Sequence, residues 1–400
     1  MDFKNIFYRI KDVVSDYGKL TYEFLFVDEK QEKSVIEEVE ERAEIPEAYL
    51  QRFRLHPLHD AKQLEGRDEE MAMMQRAYEN WKITRSPLLI VGEFGAGMTS
   101  LLNASSSIYP HAQILENTCN ISNSDELVRE LKNALNYPEA RTLKDLNTLP
   151  KKDDEQVVIF ENIERLFIRK IYGFNLLEDF LLLIHATKKD IFWVATINQY
   201  SYYYLNQVIG FGSNFLSVIR LQPIKKAVIE GVINERNKGY ERVFLKPNTL
   251  SGTLTQQLKD SNANKKQELL KSDFFNKFHA FADGNISQAM LFWKRSVTYV
   301  KEKRVYVKAY EPKSIGQLSL EELFVLEAIL QHTSLSNQEL YAILRNSNKG
   351  SKLILEKLME NDLLYAKTYD SQFEPEYQIN LLHLNAVKAQ IHSRLNRNIK

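Results

Sequence analysis

Hydrophobic and polar positions change their spacing several times along the chain, and each spacing predicts a different element. Nearly unbroken apolar runs at residues 87–92, 156–160, 190–198 and 217–221, with a shorter one at 112–115, predict strands buried on both faces. Between them, helical spacing covers a stretch ending near Trp81, residues 124–135 and residues 174–186. The segment 143–156 is polar and predicts a loop. From Ile224 the pattern is helical at 225–238, 274–281 and 285–303, with a polar stretch at 247–266 that predicts an exposed loop. After Leu318, helices are expected at 320–330, from Ser336 and at 352–361, then a hairpin from 363–367 and 377–380, then a last helix to residue 396. The second of these opens on Ser336-Asn337-Gln338-Glu339, the pattern of a capping box. Ahead of everything, Phe3, Ile6, Phe7, Ile10, Val13 and Val14 fall at helical spacing, and residues 20–26 read as a strand or a buried helical turn. Residues 28–47 are dominated by acids, with Val35, Ile36, Val39 and Ala43 as a narrow apolar stripe.

Apolar strands alternating with helices specify a parallel sheet covered on both faces. Three helices followed by a hairpin is the order of a winged-helix domain. The chain therefore divides into a helical N-terminal segment (1–60), an α/β domain (61–223), a helical lid (224–312) and a winged helix (313–400). Four hundred residues, 44% apolar and 26% charged, suit such a globular protein. Its 53 basic residues balance 53 acidic ones, so any surface for nucleic acid or membrane must be local. The one cysteine, Cys119, excludes an internal disulfide. With no long apolar span and no basic-then-apolar leader, a cytoplasmic protein without a membrane span is expected.

The chemistry concentrates where the first strand meets its helix, in Gly92-Glu93-Phe94-Gly95-Ala96-Gly97-Met98-Thr99-Ser100. This is G-x-x-x-x-G-K-[ST], the phosphate-binding P-loop, with Met98 in place of lysine. Gly92, Gly95 and Gly97 let the backbone wrap a phosphate with its amides inward. Ala96, Thr99 and Ser100 complete the cradle, and the Thr99 hydroxyl is placed to reach a magnesium ion. Missing is the cation for the β- and γ-phosphates. Its loss from a partly desolvated site costs a few kcal/mol, about two or more decades of affinity.

This order of elements resembles the AAA+ ATPases, above all the branch with a C-terminal winged helix that includes origin-recognition and initiator proteins. The similarity covers residues 60–395. Gly66-Arg67-Asp68 matches the family's nucleotide-site motif, so Arg67 is expected at the cofactor. Residues 92–99 match Walker A and 157–162 match Walker B. Thr196 or Asn198 matches sensor 1, which places Asn198 near the γ-phosphate. Gly284-Asn285-Ile286-Ser287 matches the start of the lid helix. The resemblance implies ATP or ADP with magnesium as cofactor, the metal held by Thr99 and Glu161.

The same alignment of roles shows what is lost. Glu161 is one methylene longer than the metal-binding aspartate. Asn162 replaces the catalytic glutamate, and an amide accepts no proton, so only Glu161 or Glu164 is left as a candidate base. Gly212-Ser213-Asn214-Phe215 carries no arginine finger, and Ser287 stands where the sensor 2 arginine is expected. Phosphoryl transfer depends on these charges for nearly all its rate. The expected function is a regulatory or scaffolding subunit of an assembly, nucleotide-binding, with weak or absent ATP hydrolysis. Two alternatives remain: an ATPase completed by a neighbouring subunit, and an initiator-like module that binds DNA through the winged helix. Protein partners or a homo-oligomer are expected, with DNA as the rival. Lys352 and Lys357 lie on the helix that would meet DNA, but that helix also carries Glu356 and Glu360, and the wing at 369–376 is acidic. Tyr200, Tyr202, Tyr203 and Tyr204 read as packing residues, and the eight histidines show no metal-ligand spacing.

Overall fold

The apolar runs become the strands of one parallel sheet in a computed structural model that describes residues 45–59, 63–109, 111–116, 120–121, 123–148, 155–345, 348–368 and 374–395. The N-terminal elements expected before residue 45, Cys119, residues 369–373 of the expected wing and the last five residues lie outside this description. The chain forms two units. The larger holds residues 53–236, 278–293 and 311–400; the smaller holds residues 237–277 and 294–310 with the described residues 45–52.

The larger unit begins with α1 (Asp68–Thr84), β1 (Leu88–Gly92), α2 (Met98–Ala104), β2 (Gln113–Leu115) and α3 (Ser124–Ala134). It continues with β3 (Gln156–Phe160), α4 (Asn175–Thr187), β4 (Ile191–Asn198), α5 (Gln199–Ile209), β5 (Ser217–Arg220) and α6 (Lys226–Arg236). The strand order is β2-β3-β4-β1-β5, every pairing parallel. Each of the five β1 residues is buried, because β1 lies inside the sheet and helices cover both faces. Alternate residues serve opposite faces. Leu88, Ile90, Ile159 and Phe192 pack with Met74 and Trp81 of α1 and Leu101 of α2. Leu89, Val91, Phe160 and Trp193 pack with Leu127 of α3, Phe180 of α4 and Leu205 of α5. The polar segment expected as a loop at 143–156 holds a short helix, Leu143–Leu146, closed by a Thr142–Asp145 capping box.

The region expected as a helical lid departs from that expectation. It contains β6 (Glu241–Phe244), α7 (Gly252–Lys259), α8 (Ala263–Ala282), α9 (Ile286–Ser296), β7 (Val297–Lys301) and β8 (Arg304–Val307). The helix expected over 285–303 stops at Ser296, where Val297-Thr298-Tyr299-Val300 begins. β-Branched and aromatic side chains lose rotamer freedom in a helix and suit a pleated surface. β7 and β8 form an antiparallel hairpin around Glu302 and Lys303, both at positive φ, and β6 joins β8 in parallel. That turn geometry ordinarily selects Asn-Gly, so Glu-Lys hides it from a sequence reading. The expected loop at 247–266 likewise holds α7, capped by the Ser251 hydroxyl.

The chain ends with α10 (Leu320–His332), β9 (Ser334–Ser336), α11 (Asn337–Leu344), α12 (Asn348–Glu360), β10 (Leu364–Lys367), β11 (Glu376–Ile379) and α13 (Leu384–Leu395). The three helices, the hairpin and the last helix follow the order read from the sequence, and the Ser336–Glu339 capping box is formed. β9 is added to the hairpin, giving an antiparallel sheet β10-β11-β9. Leu323, Val325, Leu326 and Ile329 of α10 are fully buried in this part's core. No described helix is long and apolar enough to cross a membrane.

Candidate functional site

In a parallel sheet the loops leaving the carboxyl ends of the strands open onto one edge, where ligands of such folds are held. Here that edge is formed by the loops after β1, β3 and β4. The loop from Gly92 to Met98 has the shape its glycines predict: Gly95 and Gly97 sit at φ +83° and +89°, values that side chains rarely adopt. Gly97 then leads directly into α2.

The carbonyls of the loop are held from outside it. Asn285 donates its side-chain amide to the Phe94 carbonyl at 2.9 Å, and the Ser287 amide donates to the Gly95 carbonyl at 3.2 Å. Arg67, almost wholly buried, donates Nη2 to the Ala96 carbonyl at 2.9 Å and Nη1 to the Gln222 carbonyl and Glu70, each at 2.7 Å. A Cβ at Gly95 would meet Asn285 Oδ1 at 2.9 Å, so the close approach requires glycine. Ser100 accepts the Leu58 amide at 3.0 Å. Glu93 receives the Lys388 ammonium at 2.7 Å and the Tyr200 hydroxyl. Burial, then the Glu93 charge, holds the Tyr200 phenol well above its ordinary range.

The sequence-selected residues divide into two groups. Gly92, Gly95, Ala96, Gly97, Met98, Thr99, Ser100, Arg67 and Glu161 come together at the loop. Met98 lies along Gly92, with its Cγ and Sδ each 2.9 Å from where a Cβ of residue 92 would stand. The Thr99 hydroxyl donates to the carboxylate of Glu161, which is buried at the end of β3. Burial raises the pKa of Glu161, with Glu116 adding to it and the Thr99 hydrogen bond opposing. A hydroxyl and a carboxylate side by side are the oxygen donors that magnesium accepts when substrate phosphates supply the rest. Among the described residues, no cluster of three His, Cys, Asp or Glu side chains could hold a metal unaided.

Asn198 and Glu164 belong to the second group, turned towards the C-terminal part of the chain. Asn198 caps α5 through the Tyr200 amide at 2.9 Å and donates to the Leu330 carbonyl at 2.7 Å and Thr333 at 3.1 Å. These long-range partners are not legible in the sequence. Glu164 is fully buried, its pKa raised chiefly by burial, and it accepts the Thr333 hydroxyl at 3.2 Å. Its second carboxylate oxygen has no hydrogen-bond partner among the described residues. Asn162, expected in place of a catalytic glutamate, adopts a left-handed conformation and donates its backbone amide to the Thr196 hydroxyl at 2.9 Å.

Beside Glu164 lies an ion pair that the sequence reading missed. Arg165 meets Glu376 at 3.0 Å and Ser334 at 2.9 Å, and Ser334 donates to the same carboxylate. Arg169 reaches Gln331 at 2.9 Å and Glu327 at 3.8 Å. His332, with neither ring nitrogen hydrogen-bonded among the described residues, packs on Phe167 with ring centres 4.6 Å apart. Burial, reinforced by Arg169 and Arg165, pushes its pKa down to about 3.

No protein-family model and no curated protein matches the chain. Solved structures do. The chain is similar to the ORC2 protein of Aeropyrum pernix, seen in ADPNP and ADP complexes, with 14% identity and a TM-score of 0.45 over 86% of this chain and 98% of that one. It is also similar to a Walker-type ATPase of Pyrococcus abyssi, at 13% identity and a TM-score of 0.39 over 84% and 99% of the two chains. Cdc6p of Pyrobaculum aerophilum gives 16% identity and a TM-score of 0.38 over 88% and 99%.

Proposed function

We propose that this chain is a nucleotide-binding module of the AAA+ type, acting as a regulatory or scaffolding subunit of an assembly, with weak or absent ATP hydrolysis. One observation carries the reading. The loop keeps a phosphate-binding backbone while Met98, Asn162 and Ser287 occupy the positions from which charge would drive turnover. In this reading, Gly95, Ala96, Gly97, Met98, Thr99 and Ser100 hold the phosphates, and Thr99 with Glu161 holds magnesium. ATP with magnesium would supply the anion that the loop amides recognise. The ties from Asn285, Ser287, Arg67 and Lys388 to the loop support coupling between nucleotide occupancy and the rest of the larger unit.

The domains are proposed as an N-terminal segment to residue 60, an α/β domain to 223, a lid to 312 and a C-terminal winged helix. For that last domain a protein partner is favoured over DNA. Lys357 is 2.8 Å from Glu322 and Lys352 is 4.0 Å from Glu356, so acids of the same chain already answer the lysines nominated for phosphate contact.

Titration calorimetry of ATP and ADP with magnesium, on the chain and on Met98→Lys, tests the nucleotide reading. Binding by the chain itself makes nucleotide its ligand. Binding only after Met98→Lys means a preserved pocket disabled at one position. Silence from both overturns the proposal. Sedimentation at several concentrations, with ATPase activity measured alongside, tests the assembly. Turnover that rises steeply with concentration would favour an ATPase completed by a neighbour.

A further inference from the structure

The sheet of the smaller unit has two unlike faces. Val305, Val307 and Phe244 point inward and are buried, and the Phe244 ring lies 5.3 Å from that of Phe274 on α8. Successive residues of a strand point to opposite sides, so Arg304 and Tyr306 of β8 face outward. Across the hairpin the register sets Tyr299 opposite Tyr306 and Lys301 opposite Arg304. The two tyrosine rings stack, centres 4.1 Å apart and 14° from parallel, and both are partly exposed. Lys303, exposed in the turn, stands just beyond them.

A cross-strand aromatic pair by itself would only steady the hairpin. The charge around it asks for more. Residues 45–52, 237–277 and 294–310 hold 15 lysines and arginines against six acids. Residues 53–236, 278–293 and 311–400 hold 31 against 35. The described residues of the smaller unit are thus predominantly basic. On the outward face Arg304 meets Glu241 at 2.8 Å.

We propose that the outward face of β6, β7 and β8 binds single-stranded nucleic acid, with Tyr299 and Tyr306 as the stacking platform and Lys301 and Lys303 tracking the phosphates. Cations alone would suit any acidic partner. The rings select unpaired bases, which have faces free for stacking, whereas the bases of a duplex are already stacked on one another.

The test is fluorescence anisotropy of a labelled oligothymidine of about 12 nucleotides, inside the range of about 4–16 that single-strand sites cover. It is titrated with the full chain between about 50 and 200 mM salt. Binding is expected to fall about tenfold or more in Tyr306→Leu and to be retained in Tyr306→Phe, which keeps the ring face. The double variant Lys301→Gln/Lys303→Asn should reduce the slope of log affinity against log salt by about 1.4, two phosphate contacts on a single strand. Lys352→Gln/Lys357→Gln should leave binding unchanged. The proposal is overturned if the chain does not bind the oligonucleotide, or if Tyr306→Leu binds as well as Tyr306→Phe. It is equally overturned if a duplex or polyglutamate displaces the probe as readily as unlabelled single strand.

Discussion

After β1, the loop has its expected shape without a lysine: Met98 lies along Gly92, and Ser287 at the start of α9 contributes its backbone amide. After β3, at the same edge of the sheet, charge is retained and buried. Arg165 and Glu376, 5% and 10% exposed, face each other at 3.0 Å with Ser334 against both. The two places differ in what surrounds the charge. A P-loop lysine is answered by a phosphate that comes and goes, so a chain that does not turn nucleotide over can lose it without harm to the fold. The arginine after β3 is answered by a carboxylate of its own chain, and its removal would leave that carboxylate buried and alone. A charge is dispensable to the fold where its partner would be a ligand and is held where its partner is structural.

The largest expected effect breaks the second place. Arg165→Ala should lower the stability of the larger unit by about 3–5 kcal/mol in chemical denaturation, because it strands Glu376. The double variant Arg165→Met/Glu376→Leu, which removes both charges, should recover most of that loss. An Arg165→Ala chain as stable as the parent would show that the pair is not structural. At the first place, Met98→Lys should tighten ATP–magnesium binding by about two decades, close to 3 kcal/mol by calorimetry. An unchanged affinity there would mean that more than one charge separates this loop from a working one.

His332 sharpens the contrast through pH. Its pKa in the fold, about 3, lies below the 6.5 of an unfolded histidine, so the fold excludes a proton that the unfolded chain takes up. That contribution is intact above pH 6.5 and is lost as pH falls from there towards 3. The loss follows a slope approaching 1.4 kcal/mol per pH unit. His332→Leu should remove this component and flatten the acid limb of a stability–pH curve, which denaturation at several pH values would reveal. The smallest effect is the control: Lys352→Ala, at an exposed pair one helical turn apart, should change stability by no more than about 0.5 kcal/mol. A larger cost would mean that burial is not what separates the Arg165 pair from its surface counterpart.

What could be seen in the sequence follows from how local each signal is. β1, the loop and α2 are encoded within residues 88–104, by a run of apolar side chains and three glycines, and they form where expected. The β7–β8 hairpin is local too, but its turn is made by Glu302 and Lys303, residues without turn preference, so the helix was extended across it. The pairing of Arg165 with Glu376 joins residues 211 positions apart. No spacing rule reaches that far, and in the sequence Arg165 is merely one basic residue after a strand. Asn198 lies between these cases. Its place at the end of a strand was legible, whereas its cap on α5 and its bonds to Leu330 and Thr333 need the folded chain.

The salt link from Glu93 to Lys388 spans 295 residues. On a ribosome adding about 5–20 residues per second, the phosphate loop is complete about 15–60 seconds before its clamp is made. During that interval Glu93 is unanswered by Lys388. The loop is therefore made before the last helix arrives to hold it.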